Sequence, residues 1–199
     1  MRSPWPLPRL AICLLALALP SPAVFAASWE CIDRALETEV RHPQPMAKWV
    51  VEGLRPKLGN AVRFNDGPPS SDGGLHGGVL LENAAGDVMG AISYELHGTK
   101  LTVVMSKTNE AFQRQGIAKY LMAHILLRHP QVTEIGGELA LTNLQVYIEH
   151  VTAGVAPRLA ILRTPAYRIR QELGYTVVDE SKTTLGRRTA YLVTRKPQR

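Results

Sequence analysis

Gln113-Arg114-Gln115-Gly116-Ile117-Ala118 is the stretch whose reading decides the fold. Just upstream, Leu101 to Met105 reads as a strand. Just downstream, Ile117, Ala118, Leu121, Met122, Ile125 and Leu126 recur at helical spacing. The six residues are therefore a strand-to-helix turn. A helix start leaves backbone N–H groups unpaired and carries partial positive charge, so phosphate binds well there. Gly116 has no side chain and Ala118 only a methyl, which leaves the backbone open to a ligand. Arg114 and Lys119 add positive charge nearby. The turn suits a pyrophosphate.

Downstream of this helix, Arg128 and His129 place cations where the dipole favours them, and Pro130 stops it. Ile135 to Leu141 is the next strand. Thr164-Pro165 starts another helix, with Thr at the cap and Pro at the first position, and Gly174 stops it after Leu173. Tyr175–Asp179 and Thr189–Thr194 close the chain as two strands. Upstream of the turn, Val79–Glu82, Val88–Leu96 and Leu101–Met105 form an antiparallel meander with tight connections. Asn65 to Gly78 has almost nothing to bury and reads as a loop. Met46–Leu54 is a short helix ended by Pro56 and Gly59, and Ser28–Val40 is another. Two helices, three strands, helix, strand, helix and two strands predict an α/β (α+β) layered domain with a mixed sheet.

The segment from about Gly78 to Lys196 resembles the GNAT superfamily of acyl-CoA-dependent N-acyltransferases. Gln113 to Ala118 matches that family's Q/R-x-x-G-x-G/A signature. The helix from Thr164-Pro165-Ala166 to Glu172-Leu173-Gly174-Tyr175 is similar to its second landmark, a helix ending in Leu-Gly-Phe/Tyr before a strand. The resemblance implies a mixed, mostly antiparallel sheet flanked by helices. It implies acetyl-CoA as co-substrate, its pyrophosphate on Gln113, Arg114, Gln115, Gly116, Ile117 and Ala118, and its pantetheine arm along a splayed edge near Val103 to Ser106. It further implies direct attack by an amine, of a small molecule or a protein, in a ternary complex. Such chemistry needs a base, an acid and donors to polarise the thioester.

The sequence departs from the family at the acid. The family often carries a Tyr four residues before the Gly of the second landmark, and here that residue is Arg170, which stays protonated and is a poor acid. Tyr167, one turn earlier on the same helix, is the substitute candidate, with a packing role as its alternative. Glu138, on the strand after the cofactor helix, is the candidate base, ahead of Glu82 and Glu95. The stretch between Asn143 and Thr164 reads as an extra helix over the sheet edge, with Leu144, Ile148 and Val151 on one face. Its other reading is a lid over the acceptor, with Tyr147, Glu149 and His150 facing the pocket. The six histidines show no metal-ligand spacing, so no metal is expected.

The chain has 199 residues, 45% hydrophobic and 20% charged, which suits one globular domain with a real core. Residues 1–26 have the anatomy of a signal peptide. Arg2 and Arg9 precede or open the apolar run Leu10–Leu19, Pro20-Ser21-Pro22 breaks it, and Val24-Phe25-Ala26 suits cleavage. The run is shorter than the roughly 20 residues that span a bilayer. These features predict export to a periplasm or medium. A misassigned start codon would instead leave the protein cytosolic. Cleavage would leave Cys31 as a lone cysteine on a helix. Without residues 1–26, which hold two Arg and no acidic residue, 21 of the 23 basic residues face 17 acidic ones. This mild surplus favours anionic ligands without demanding nucleic acid. The expected organisation is a signal peptide (1–26), a helical segment (27–64), a Gly/Pro/Ser-rich loop (65–77) and a GNAT-like domain (78–199). Acyl-CoA is cytosolic, which keeps a second reading open: a non-catalytic exported binding module on the same fold. The oligomeric state is not legible.

Overall fold

Strand Val88–His97 alternates as its sequence predicts: Ile92, Tyr94 and Leu96 are buried, while Ala91, Ser93 and Glu95 are partly exposed. It lies inside one sheet. The computed structural model describes residues 46–59, 61–69, 73–186 and 188–197. The expected signal peptide and the helix at 28–40 lie outside them. In chain order the elements are α1 (Met46–Leu58), β1 (Val62–Pro69), β2 (Leu75–Glu82), β3 (Val88–His97) and β4 (Lys100–Thr108). A 3-10 turn (Glu110–Phe112), α2 (Ile117–Arg128), β5 (Glu134–Glu138), α3 (Leu141–Thr152) and α4 (Pro157–Leu162) follow. The rest are α5 (Pro165–Glu172), β6 (Val177–Val178), β7 (Thr184–Leu185) and β8 (Ala190–Arg195).

The described strands form one eight-stranded sheet in the order β1-β2-β3-β4-β5-β8-β6, with β7 also on β8. Only β4 and β5 pair in parallel; the other pairings are antiparallel. Helices flank the sheet, as expected for a mixed α/β domain. Helix α2 packs on β2, β3 and β4, and α1 packs on α2. Their shared core includes Val51, Ile92, Tyr94, Leu101, Leu121 and Ile125. A second core under α3, α4 and α5 joins Leu139, Tyr147, Ile161, Tyr167 and Leu192. Tyr147 is fully buried and donates to the Gly186 carbonyl at 3.0 Å. The 143–164 stretch is thus packed helix, and Tyr147 does not face an open pocket.

Three expectations change. Residues 65–77 are not a loop throughout: β1 and β2 pair from Val62↔Leu81 to Asp66↔Gly77, and again at Pro69↔Leu75. Backbone pairing at a sheet edge asks for no apolar side chains, so the polar Asn65-Asp66 hides a strand. Val62 and Phe64 do alternate onto the core. Arg128 of α2 pins β1, stacking 4.5 Å from the Phe64 ring centroid and pairing with Asp66. Second, α1 runs past Pro56, which removes only its own N–H bond; Gly59 closes the helix on the Arg55 carbonyl. Third, β5 stops at Glu138, and Leu141 already opens α3.

Two histidines are held neutral inside. His129 accepts from or donates to the Tyr94 hydroxyl at 3.0 Å, and His124 Nε2 is buried without a partner among the described residues. Burial lowers both pKa values, with Arg55 adding to the effect at His124 and Arg128 at His129. The unfolded state therefore binds more protons below about pH 6.5. Stability is fully present above that pH and is lost as pH falls toward the depressed folded values. Thermal melts between pH 7.5 and 5 should show Tm dropping, and His124→Asn should flatten the slope.

Candidate functional site

The turn before α2 is built as the sequence suggests. Asn109 caps the 3-10 turn by accepting from the Ala111 amide at 3.2 Å. The chain then passes through two left-handed residues, Arg114 (φ 60) and Gly116 (φ 86), before α2 begins. Such alternation turns successive N–H groups toward one concavity. The amides of Arg114, Gln115, Gly116, Ile117, Ala118 and Lys119 have no acceptor among the described residues. Ile117 is buried, which anchors the turn on the core, while Gln113 and Arg114 are exposed. A non-glycine residue in the left-handed region costs about 1–3 kcal/mol and so marks a geometry the surroundings impose. Lys119 is not a free cation here: its Nζ pairs with Glu172 of α5 at 2.5 Å. Arg114 has no ion-pair partner among the described residues.

Beneath this turn the sheet opens. β4 and β5 pair only from Lys100↔Glu134 to Val103↔Gly137, although β4 continues to Thr108 against β3. At the same level, Ser93 pairs with Met105 and Tyr94 with Val103, which leaves Val104 as an unmatched residue on β4. This bulge bends β4 away where pairing with β5 ends. β5 instead stays paired with β8 as far as Glu138↔Tyr191. From Val104 to Thr108 the β5-facing edge of β4 has no strand partner among the described residues, and Val104 is 60% exposed. A free strand edge offers alternating donors and acceptors to an extended ligand that carries amides.

Gly137 sits at the apex of the opening. A Cβ there would lie 2.8 Å from the Val103 carbonyl oxygen and 3.4 Å from Arg170 Nη2. Arg170 is buried on α5, and its Nη1 donates to the carbonyls of Ile135 (3.1 Å) and Leu192 (2.8 Å). Desolvation lowers its pKa to about 10, against a smaller opposing effect of Tyr191, so it remains a cation at neutral pH. Glu138 follows the apex directly and is exposed at the end of β5.

Tyr167 lies elsewhere. Thr164 caps α5 by accepting from the Tyr167 amide at 3.3 Å, and a Schellman pair at Gly174 and Tyr175 ends it. The Tyr167 ring joins the second core and its hydroxyl donates to the Thr176 carbonyl at 3.2 Å. Burial raises its pKa. That proton is engaged away from the apex, and Arg170 rather than Tyr167 reaches Gly137. The turn ahead of α2 was legible in the sequence, whereas the end of the β4–β5 pairing at Gly137 was not. The usable signal was Gly136-Gly137 inside the strand Glu134–Glu138, which marks close approach of another group.

No family model matches the chain, and no curated protein matches it. Among solved structures it is similar to nourseothricin acetyltransferase at 13% identity and a TM-score of 0.40, over 69% of this chain and 99% of that one. It is also similar to a GNAT family acetyltransferase from Elizabethkingia anophelis with acetyl-CoA bound, at 10% identity and 0.38, over 68% and 99%. A third is the ribosomal-protein-S18-alanine N-acetyltransferase from Escherichia coli, at 13% identity and 0.38, over 61% and 68%. Similarities at this level carry no chemistry with them.

Proposed function

We propose that this chain is an N-acyltransferase that moves an acyl group, acetyl in the first instance, from coenzyme A to an amine. The observation that carries the reading is one continuous track. Six consecutive amides without an acceptor among the described residues lead to the edge of β4 that has no strand partner among them, and that edge leads to the Gly137 apex. The amides suit a pyrophosphate, the edge suits the two amides of a pantetheine arm, and the apex receives the thioester. The acceptor amine attacks in a ternary complex, and Glu138 takes its proton. Calorimetric titration of the purified chain with acetyl-CoA tests this: saturable binding is expected, and no heat at millimolar acetyl-CoA would overturn it.

Two variants test the chemistry. Glu138→Gln should lower kcat about 100-fold or more, in the range of a lost general base. Tyr167→Phe should keep turnover close to the native value and cost about 1 kcal/mol of stability, because its hydroxyl serves Thr176. A large loss of kcat in Tyr167→Phe would return Tyr167 to the role of acid.

The Thr176 bond also favours a second reading, a non-catalytic binding module on the same fold, because it engages the Tyr167 proton away from the apex. That reading predicts saturable acetyl-CoA binding with no transfer to any member of an amine panel. We further propose that residues 1–26 direct export. Mass spectrometry of the native protein should then find no peptide starting at Met1; an intact Met1–Ala26 in the soluble protein overturns the proposal.

A further inference from the structure

Arg170 poses a problem of charge. A guanidinium removed from water is costly unless a carboxylate or comparable anion joins it. Arg170 is only 5% exposed, and among the described residues no carboxylate is within ion-pair distance. Its Nη1 is satisfied by two main-chain carbonyls, which a neutral donor would satisfy equally well. Nη2 and Nε have no acceptor among the described residues, and Nη2 looks onto Gly137. The site therefore holds one positive charge more than its own groups need, at the point where β4 and β5 part.

We propose that Arg170 is a catalytic residue that pairs with the thiolate sulfur of coenzyme A as the thioester breaks. The proposal rests on the acyl-transfer reading. The amine lone pair forms the C–N bond and its proton goes to the Glu138 carboxylate. The C–S bond breaks with both electrons on sulfur. The thiolate is held by the guanidinium instead of being protonated, and takes up a proton from solvent on release. No acid is needed at the apex, which agrees with the engagement of the Tyr167 hydroxyl elsewhere. A preorganised cation in a site shielded from water is well suited to charge that develops only as the bond breaks.

The test reads the ionisation of coenzyme A itself. A free thiol with a pKa of about 8.5 is mostly protonated at pH 7. Calorimetry of CoA binding at pH 7, in two buffers of different ionisation enthalpy, counts protons released. The native protein should release close to one proton per CoA bound, and none with desulfo-CoA. Arg170→Met should bind CoA without proton release and lose kcat about 100-fold or more at a nearly unchanged KM for acetyl-CoA. Arg170→Lys, which keeps the charge, should recover part of kcat. CoA binding to the native protein with no proton release overturns the proposal, as does an Arg170→Met enzyme with native turnover. The native comparison of CoA with desulfo-CoA decides the matter even if Arg170→Met does not fold. No binding of acetyl-CoA by the native protein overturns both this proposal and the acyl-transfer reading. Binding of acetyl-CoA with an unperturbed CoA thiol overturns this one alone.

Discussion

Gly116→Glu should abolish acetyl-CoA binding, with no heat detected where the native protein saturates. Gly116 has a φ of 86, and a Cβ on it would come within 3.3 Å of Leu54 Cδ1. Leu54 is a partly buried side chain that can yield, so packing alone does not destroy the turn. Left-handed backbone costs a non-glycine residue about 1–2 kcal/mol, which the fold tolerates in part. The decisive term is charge. The Glu carboxylate would stand among the amides of Arg114 to Lys119, where the phosphates are expected. Two like charges about 4 Å apart at a protein surface repel by about 4 kcal/mol, roughly a thousandfold in affinity. Gly116→Ala separates the causes: it carries the strain without the charge and should retain weakened binding. Native affinity in a folded Gly116→Glu protein would show that the ligand does not use this turn.

Gly137→Val should have the largest effect on the folded state together with loss of turnover. A Cβ at this position meets the Val103 carbonyl oxygen at 2.8 Å, and that oxygen belongs to the backbone of β4, which cannot swing aside. It also approaches Arg170 Nη2 at 3.4 Å, so both the parallel pairing and the seating of the guanidinium must shift. Overpacking of this kind costs about 1–3 kcal/mol, which for a chain of this size lowers Tm by about 2–4 °C per kcal/mol. Turnover should fall further than stability explains, because the branched side chain fills the apex. Gly53→Ala is the control: a Cβ there meets nothing within 4 Å on helix α1, so it should stabilise by about 0.5–1 kcal/mol. Gly137→Val with native Tm and turnover would mean that the apex is not the reacting centre.

Much of the architecture was legible because it follows from neighbours along the chain. The period change at Gly116 located α2, and its stripe of Ile117, Leu121 and Ile125 is buried. Alternation located β3, and Thr164-Pro165 with Gly174 bracketed α5. Strand β1 was lost because Asn65 and Asp66 give no apolar pattern, and what makes them a strand is pairing with Gly78 and Gly77. Strand β7 was lost for a similar reason, being only Thr184–Leu185 against β8.

By itself, the sequence determined the layered α/β class and the strand-to-helix turn at Gln113–Ala118. Both rest on backbone chemistry set by a few adjacent residues: where glycine stands, where the period changes, and which N–H groups a helix start leaves free. Only the tertiary structure decided what lies beside the turn. The opening between β4 and β5 depends on where pairing stops at Val103↔Gly137, across 34 residues of chain. Arg170 became a buried cation at that opening because carbonyls of two other strands hold it. Tyr167, a reasonable acid one turn away, was turned to Thr176 instead. Burial and hydrogen-bond partners are set by distant segments, and no reading of neighbours assigns them.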